Sequence, residues 1–325
     1  MSKLNVKTMK KSTLDHLITF AMVIVAYLVV QILIAAGVLS SLMQGLLVPM
    51  CTYSIVAIGL NLCVGYLGEL SIGHAGFMCV GAFTSSFFSK AMQDTITNST
   101  VRFLLALLIG IITAAIFGII IGIPVLRLNG DYLAIVTLAF GEIIKNLVNV
   151  LFIGKDSKGF HFSTKDAVSL NMEPDGKIIL NGPQGITGTP NDSTFFIGFI
   201  LILVTLFIVL NLIHSRDGRA IMAIRDNRIA AESIGINITK YKLMAFIISA
   251  ALAGVAGVLY AHNLATLTAL PKNFGYNQSI MILVFVVLGG IGSTRGSMIA
   301  AVVLTLLPEL LRGLNDYRML IYAIV

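Results

Sequence analysis

Tryptophan is absent from the 325 residues of this sequence, and charged residues make up only 11% of it. Soluble domains carry about 25% charged residues, so a soluble protein with one membrane anchor is excluded, because the shortage extends along the whole length. Without tryptophan, only tyrosine can supply the amphipathic aromatic belt at the membrane surfaces. The composition, 57% hydrophobic, predicts an all-α polytopic membrane protein.

Reactive and metal-binding patterns are also scarce. The three cysteines, Cys51, Cys63 and Cys79, show no CxxC or metal-like spacing, so we expect small buried side chains and neither a disulfide framework nor a metal site. The patterns HExxH, GxSxG and GxxxxGK[ST] do not occur, which argues against an enzyme and against ATP hydrolysis by this chain. Basic residues form no long tract, so nucleic acid is not an expected partner.

Apolar runs long enough for helices in a bilayer recur along the chain, since about 20 residues span the hydrocarbon core. We predict about ten transmembrane helices, some of them broken or re-entrant. The predicted spans are 15–38, 43–64, 72–90, 101–126, 131–153, 193–213, 241–261, 276–290, 297–311 and a last one beginning near Arg318. The first run has no cleavage site after it and is expected to be retained. The chain ends within the last run, so we expect it to be truncated.

Basic residues in the connecting segments predict the orientation, because cytoplasmic loops are enriched in lysine and arginine. Segment 214–242 has six basic and three acidic residues, whereas segment 154–192 has four and five. We therefore expect a cytoplasmic N-terminal segment at 1–14, followed by a single permease domain at 15–325. Within that domain, 154–192 is an extracytoplasmic loop and 214–242 is cytoplasmic.

The extracytoplasmic loop is polar and rich in turn signals. "PDG" and "NGP" flank the strand-like "KIIL", which favours a small hairpin. A loop of this length either covers a substrate entrance, meets a delivery protein or serves as a passive connection.

A glycine-rich stretch, "LNLCVGYLGELSIGHAGFMCVGAF", lies between two apolar runs. Backbone amides cannot go unpaired in hydrocarbon, so such a break marks protein interior or a watery cavity, although the glycines could equally serve only helix packing. A second break, "LGGIGSTRGS", has Gly289, Gly292 and Gly296, and broken helices often recur in two halves of transporters. The translocation-path candidates are Gly65, Gly68, Ser71, Gly73, His74 and Glu142.

Glu142 and Lys145 are charges placed near the middle of a predicted span, at a cost of about 2.5–3.5 kcal/mol each. Three residues apart on a helix, they either neutralise each other as a structural pair or line a water-accessible path. His74, at a predicted helix start, is either a capping and packing residue or a proton carrier.

The segment "HSRDGRAIMAIRDNRIAAESIGINITKYKLMAF" is too charged to span a membrane. From Arg219 to Ile234 it predicts an amphipathic helix that ends at Gly235. Such a helix suits docking into a groove of another protein, with anionic lipid as the alternative contact.

This segment resembles the coupling segment of ABC importer permeases, whose Ala-Ala-x-x-x-Gly motif matches Ala230, Ala231 and Gly235. Isoleucine stands at 229, where the general motif has glutamate. The wider set "LNLCVGYLGELSIGHAGF", "LRLNGDYLAIVTLAFGEIIK", "GPQGITG", "AFIISAALAGVAGVLYAH" and "VVLGGIGSTRGSMIAA" is similar, in order and spacing, to LivM-type permeases of branched-chain amino acid importers. The resulting candidates for coupling to an ATPase are Arg225, Asp226, Arg228, Ala230, Ala231, Glu232 and Gly235.

The resemblance implies an ABC importer permease fold in a bacterial cytoplasmic membrane. It also implies a heterodimer with a LivH-type permease, LivG- and LivF-type ATPase subunits that hold ATP and Mg²⁺, and an extracytoplasmic binding protein. The chain itself would bind no cofactor and would contact membrane lipid. The expected mechanism is alternating access, with the helix at 219–234 moving as a rigid lever. Import of urea, short amides or nucleosides is the alternative within the family, and an ion-driven transporter is the alternative outside it.

Overall fold

Helices form most of the chain in this computed structural model, which describes residues 2–126, 131–174 and 176–311. Nine of the ten predicted spans coincide with helices, while the tenth, near Arg318, and the segment 127–130 lie outside the described residues. The helices are α1 (Ser2–Ala35), α2 (Ser41–Asn61), α3 (His74–Ala91), α4 (Ser99–Val125), α5 (Asp131–Val150), α6 (Phe195–His214), α7 (Arg216–Asp226), α8 (Arg228–Ser233), α9 (Ile238–Ala261), α10 (Pro271–Phe274), α11 (Tyr276–Gly289) and α12 (Thr294–Leu310).

Short polar side chains determine where several helices begin. Ser40, Asn98, Thr194 and Asn237 accept hydrogen bonds from backbone N–H groups in the first turns of α2, α4, α6 and α9. These side chains satisfy amides that the first turn leaves without partners, which stabilises a helix by about 1 kcal/mol.

Six helical stretches of the described residues are long and apolar enough to cross a membrane: His16–Ala35, Ser41–Leu67, Ser99–Val125, Tyr132–Val150, Phe195–His214 and Ile238–Ala261. The predicted number of about ten spans is not confirmed. Helices α11 and α12 have only 14 and 17 residues, and α3 carries a histidine, a lysine and four hydroxyl residues. At 1.5 Å per residue α11 is about 21 Å long, less than the ~30 Å hydrocarbon core.

The centre of the bundle is α9, against which α2, α3 and α4 pack. Glycines allow the backbones to approach closely: a Cβ on Gly257 would lie 2.1 Å from the Met78 carbonyl oxygen, and one on Gly81 would lie 2.5 Å from that of Gly254. Close approach through small residues is typical of helices in membranes. Helix α1 lies at the periphery: within His16–Ala35 only Thr19 and Val23 are buried.

Two small sheets correct the all-α prediction. Strands β1 (Phe152–Asp156), β2 (Gly159–Ser163) and β3 (Lys177–Asn181) form an antiparallel sheet in the order β2-β1-β3, and β4 (Ile186–Thr187) pairs with β5 (Thr266–Leu267). The predicted strand "KIIL" is present in β3, but it pairs with β1. The tight hairpin of this loop is formed by β1 and β2.

The sheets and the pair α7–α8 lie at opposite ends of the bundle. Helix α6 begins soon after β4 and ends directly before α7, and its 20 residues extend about 30 Å. Segments 154–192 and 214–242 are thus separated by a membrane-spanning length. All three cysteines are buried, as expected.

Asp156 organises the three-stranded sheet. Its Oδ1 accepts hydrogen bonds from the N–H groups of Lys158 (2.8 Å) and Gly159 (3.1 Å), and its Oδ2 accepts one from Glu173 N and lies 2.9 Å from His161 Nε2. Desolvation raises the pKa of this carboxyl, but the hydrogen bonds and His161 outweigh it, so the pKa lies below its ordinary value.

A carboxyl with a lowered folded-state pKa stabilises the fold fully above its unfolded pKa, about 3.9, and loses that contribution as the pH falls through the folded-state value. We expect limited proteolysis within 156–175 to accelerate below about pH 4. Asp156→Asn should accelerate it already at pH 7. The control Asp166→Asn removes an exposed carboxylate from the same loop, and equal proteolysis of both variants would contradict the role of Asp156.

Candidate functional site

The structure has a helix break at the predicted glycine-rich stretch. The last turn of α2 widens into a π-helical turn, Leu62–Leu67, which ends at Gly68 with φ +79°. Only glycine adopts this left-handed conformation at little cost. Residues 69–73 are not helical, and α3 begins at His74.

The second predicted break lies against the first. The N–H of Gly292 donates to Asn61 Oδ1 at 2.9 Å, and the hydroxyls of Tyr66 and Thr294 are 2.9 Å apart. A Cβ on Gly65 would lie 2.4 Å from Gly292 N, so the two backbones are in direct contact. Each break therefore supplies partners for polar groups that the other would leave unpaired at membrane depth.

Ser71 and His74 are buried, and both have hydrogen-bond partners inside the protein. His74 Nε2 lies 2.6 Å from Ser249 Oγ on α9, whose hydroxyl donates to the Gly59 carbonyl, and His74 Nδ1 lies 3.3 Å from Ser71 Oγ. Gly73 touches α5 so closely that a Cβ there would be 2.3 Å from the Thr137 carbonyl oxygen. In this conformation these residues fix the start of α3 against α5 and α9.

Arg225 of α7 reaches the first break from the end of the bundle. Its Nη1 donates to the Gly65 carbonyl oxygen at 2.9 Å, while Asp226 Oδ1 accepts from its Nε and Nη2 and orients the guanidinium. A Cβ on Gly68 would lie 2.6 Å from Arg225 Cγ, so glycine leaves room for the arginine stem. The break and the proposed coupling segment are therefore in contact.

A second bond joins the same parts. Lys242, near the start of α9, forms an ion pair with Glu69 in the break, and their side chains are only 5% and 14% exposed. Removing one partner of a buried pair leaves the other charge unpaired, which costs about 3–5 kcal/mol. Glu69 and Lys242 thus tie the break to the chain that follows α8.

The predicted helix at 219–234 is wrong as a single element, because Asn227 divides it into α7 and α8. Asn227 is extended (φ −156°, ψ 103°), and its side chain accepts a hydrogen bond from Ala230 N, so it caps the second helix. The predicted helix end at Gly235 agrees with the structure: α8 ends at Ser233, and Gly235 has a left-handed backbone with φ +86°.

The two short helices have different surroundings. Ile221 and Ile224 of α7 are buried against the bundle, whereas Ile229 and Ile234 in and beside α8 are 81% and 75% exposed. Of the coupling candidates, Ala231 is buried, whereas these are exposed: Arg225, Asp226, Arg228, Ala230, Glu232 and Gly235. An exposed apolar pair among charges is typical of a protein contact surface.

Glu142 and Lys145 form an ion pair within α5. Lys145 is buried, and the second Glu142 oxygen accepts a hydrogen bond from Tyr276 N at 2.7 Å, at the start of α11. The pair therefore neutralises its own charges and anchors the first turn of a short helix.

Sequence reasoning missed several members of this arrangement. Asn61, Thr137 and Ser249 join separate helices, and neither Glu69 nor Lys242 was predicted as a site residue. The sequence did contain a signal, because burying an unpaired charge is energetically costly. A lysine within the apolar "YKLMAF" and a glutamate within the break each need a buried partner. Among the described residues, no group of histidine, cysteine or acidic side chains could hold a metal ion.

Discontinuous helices that meet inside an apolar bundle define a multi-pass membrane protein of the transporter class. A sequence profile described as "Branched-chain amino acid transport system / permease component" matches residues 42–325, and the chain belongs to this family. The resemblance to LivM-type permeases is confirmed.

Several curated proteins are similar to the chain. The high-affinity branched-chain amino acid transport system permease proteins LivM of Salmonella typhimurium and Escherichia coli are each 36% identical over 277 residues, which cover 82% of this chain and 63% of theirs. LivH of Salmonella typhimurium is 26% identical over 256 residues, covering 78% and 79%. The chain thus spans less than two thirds of the length of these LivM relatives. No solved structure matches the chain at a significant level.

Proposed function

We propose that the chain is the membrane-spanning permease subunit of an ATP-driven ABC importer and forms a translocation path for leucine, isoleucine and valine. The observation that carries this proposal is that segment 225–242 contacts the helix break at two points. Arg225 donates a hydrogen bond to the Gly65 carbonyl, and Lys242 forms an ion pair with Glu69. A force applied to α8 reaches the interior of the bundle by these two bonds.

The proposed mechanism is alternating access. Closure of partner ATPases on nucleotide displaces α8, and α7 and the start of α9 carry the displacement to Gly65 and Glu69. Because Asn227 separates α7 from α8, the segment acts as two short helices joined at a bend and not as one rigid lever. The contact between the breaks at Gly65 and Gly292 then changes, and the path opens toward the other side.

Membership of the permease family supports a proposed assembly. We propose a heterodimer with a LivH-type permease in a bacterial inner membrane, two LivG- and LivF-type ATPase subunits that bind ATP and Mg²⁺, and an extracytoplasmic binding protein at the sheet end. The basic segment 214–242 then lies in the cytoplasm together with the N-terminus. The path candidates Gly65, Gly68, Ser71, Gly73, His74 and Glu142 remain predictions.

Substitution of Ile229 by aspartate tests the proposed contact with the ATPases. An aspartate at this exposed position would place an unpaired charge in the proposed apolar contact with the ATPase subunits. We expect the chain to insert normally, to co-purify with less ATPase, and to support leucine uptake at about a tenth of the normal rate or less, as a loss of 1.4 kcal/mol or more predicts.

The matched control is Val168→Asp, which changes an equally exposed apolar residue, 84% exposed, at the opposite end. It should leave ATPase binding unchanged. Normal co-purification and uptake with Ile229→Asp would rule out α8 as the coupling surface.

A further inference from the structure

A pocket of about 360 Å³ lies between the end of α3 and the three-stranded sheet, at the end of the bundle opposite α8. Its size falls within the range of about 300–1,000 Å³ that small-molecule sites occupy. The charged and amide residues that line it are Lys90, Gln93, Asp94, Lys155, Asp156 and Lys177.

Two of its lysines are held by neutral groups. Lys90 Nζ donates to the Thr187 carbonyl oxygen, and Lys155 Nζ donates to the Ala91 carbonyl oxygen at 2.9 Å. A carbonyl accepts one hydrogen bond without cancelling the charge, and an ammonium has three donors. These carbonyl partners therefore leave each lysine with two further N–H donors.

The two acidic residues of the pocket have partners other than Lys90 and Lys155. The Asp156 oxygens accept hydrogen bonds from backbone N–H groups and face His161, and Asp94 pairs with Lys177 at an exposed position on the rim. Three lysines against two aspartates leave the lining with one excess positive charge. No ion pair of Lys90 or Lys155 with a carboxylate occurs within the part of the chain that the structure describes.

We propose that this pocket is a carboxylate-binding site in which Lys90 and Lys155 supply the charge-assisted hydrogen bonds. Gln93 also lines the pocket, and its amide can add a neutral N–H donor. The carboxylate has two sources: that of a free amino acid, a source that rests on the proposed function, or that of an acidic side chain of a protein that docks on the sheet.

Binding to the full chain in lipid nanodiscs tests the proposal with one probe for each source. Labelled L-leucine is measured by scintillation proximity, and a labelled N-acetylated pentaglutamate peptide by fluorescence anisotropy. Lys90→Gln and Lys155→Gln remove each charge and keep an N–H donor for the carbonyl. We expect each variant to weaken binding of one probe about tenfold or more.

Lys165→Gln is the control, because Lys165 is exposed in the same loop and does not line the pocket. Leucine binding that depends on both pocket lysines identifies a free amino acid, and peptide binding that depends on both identifies an acidic protein partner. The proposal is overturned if neither probe binds, or if Lys165→Gln weakens binding as much as the pocket variants. None of these outcomes depends on ATPase coupling, so the proposed function is tested separately.

Discussion

Replacing Lys242 by methionine is expected to abolish substrate uptake and to lower the free energy of unfolding by about 3–5 kcal/mol. The substitution keeps a long apolar stem but leaves Glu69, only 14% exposed, without its partner in the helix break. Chemical denaturation of the purified chain and uptake by the assembled transporter measure the two effects.

The double variant Glu69→Gln/Lys242→Met separates structure from coupling. With both charges removed the stability should largely return, because replacing both members of a buried pair is often close to neutral. Uptake should stay low, since the double variant lacks the ion pair that is proposed to transmit movement to the break. Lys240→Met, two residues earlier and exposed, is the matched control. Full recovery of uptake in the double variant would show that the pair serves stability alone.

Gly65→Ala is expected to disrupt the contact between the two breaks. The added Cβ would lie 2.2 Å from Asn61 Oδ1 and 2.4 Å from Gly292 N, closer than real Cβ atoms approach other atoms. The nearest Gly292 atoms are backbone, so no side-chain rotation relieves the clash. Overpacking of this kind costs about 1–3 kcal/mol, and it also moves the carbonyl that Arg225 binds.

Gly45→Ala is a control on the same helix, because nothing lies within 4 Å of its added Cβ. It should leave uptake unchanged and slightly stabilise α2, since alanine is the better helix former by about 1 kcal/mol. We expect Gly65→Ala to lower the thermal transition and reduce uptake severely. Equal behaviour of the two variants would mean that the breaks do not need close contact.

The position of the break was predictable because glycine and bilayer chemistry act locally. Gly65, Gly68 and Gly73 lie within one short stretch, and a broken helix at membrane depth needs partners wherever it occurs. The contact with the second break was not predictable, since similar glycine spacing at Gly292 shows a similarity of sequence but not which surfaces meet.

The coupling segment shows the limit of helical periodicity. The spacing of apolar residues continues through Asn227, so the pattern predicts one helix from Arg219 to Ile234. Asparagine favours capping because its side chain competes for nearby N–H groups, and here that local bond divides the segment.

The ion pair of Glu69 with Lys242 joins residues 173 positions apart. Neither residue indicates its partner, because many acidic and basic residues could neutralise it. Only the packing of α9 beside the break selects this pair.

The side of the membrane on which α8 lies, and what it touches there, tests the central claim most directly. The native cysteines are buried, so Ile229→Cys introduces an accessible thiol on α8. We predict that a membrane-impermeant maleimide labels it in inside-out vesicles only, and that it cross-links to an ATPase subunit in the assembled transporter. Labelling from outside intact cells, or an active complex in which no ATPase cross-links to α8, would contradict the account.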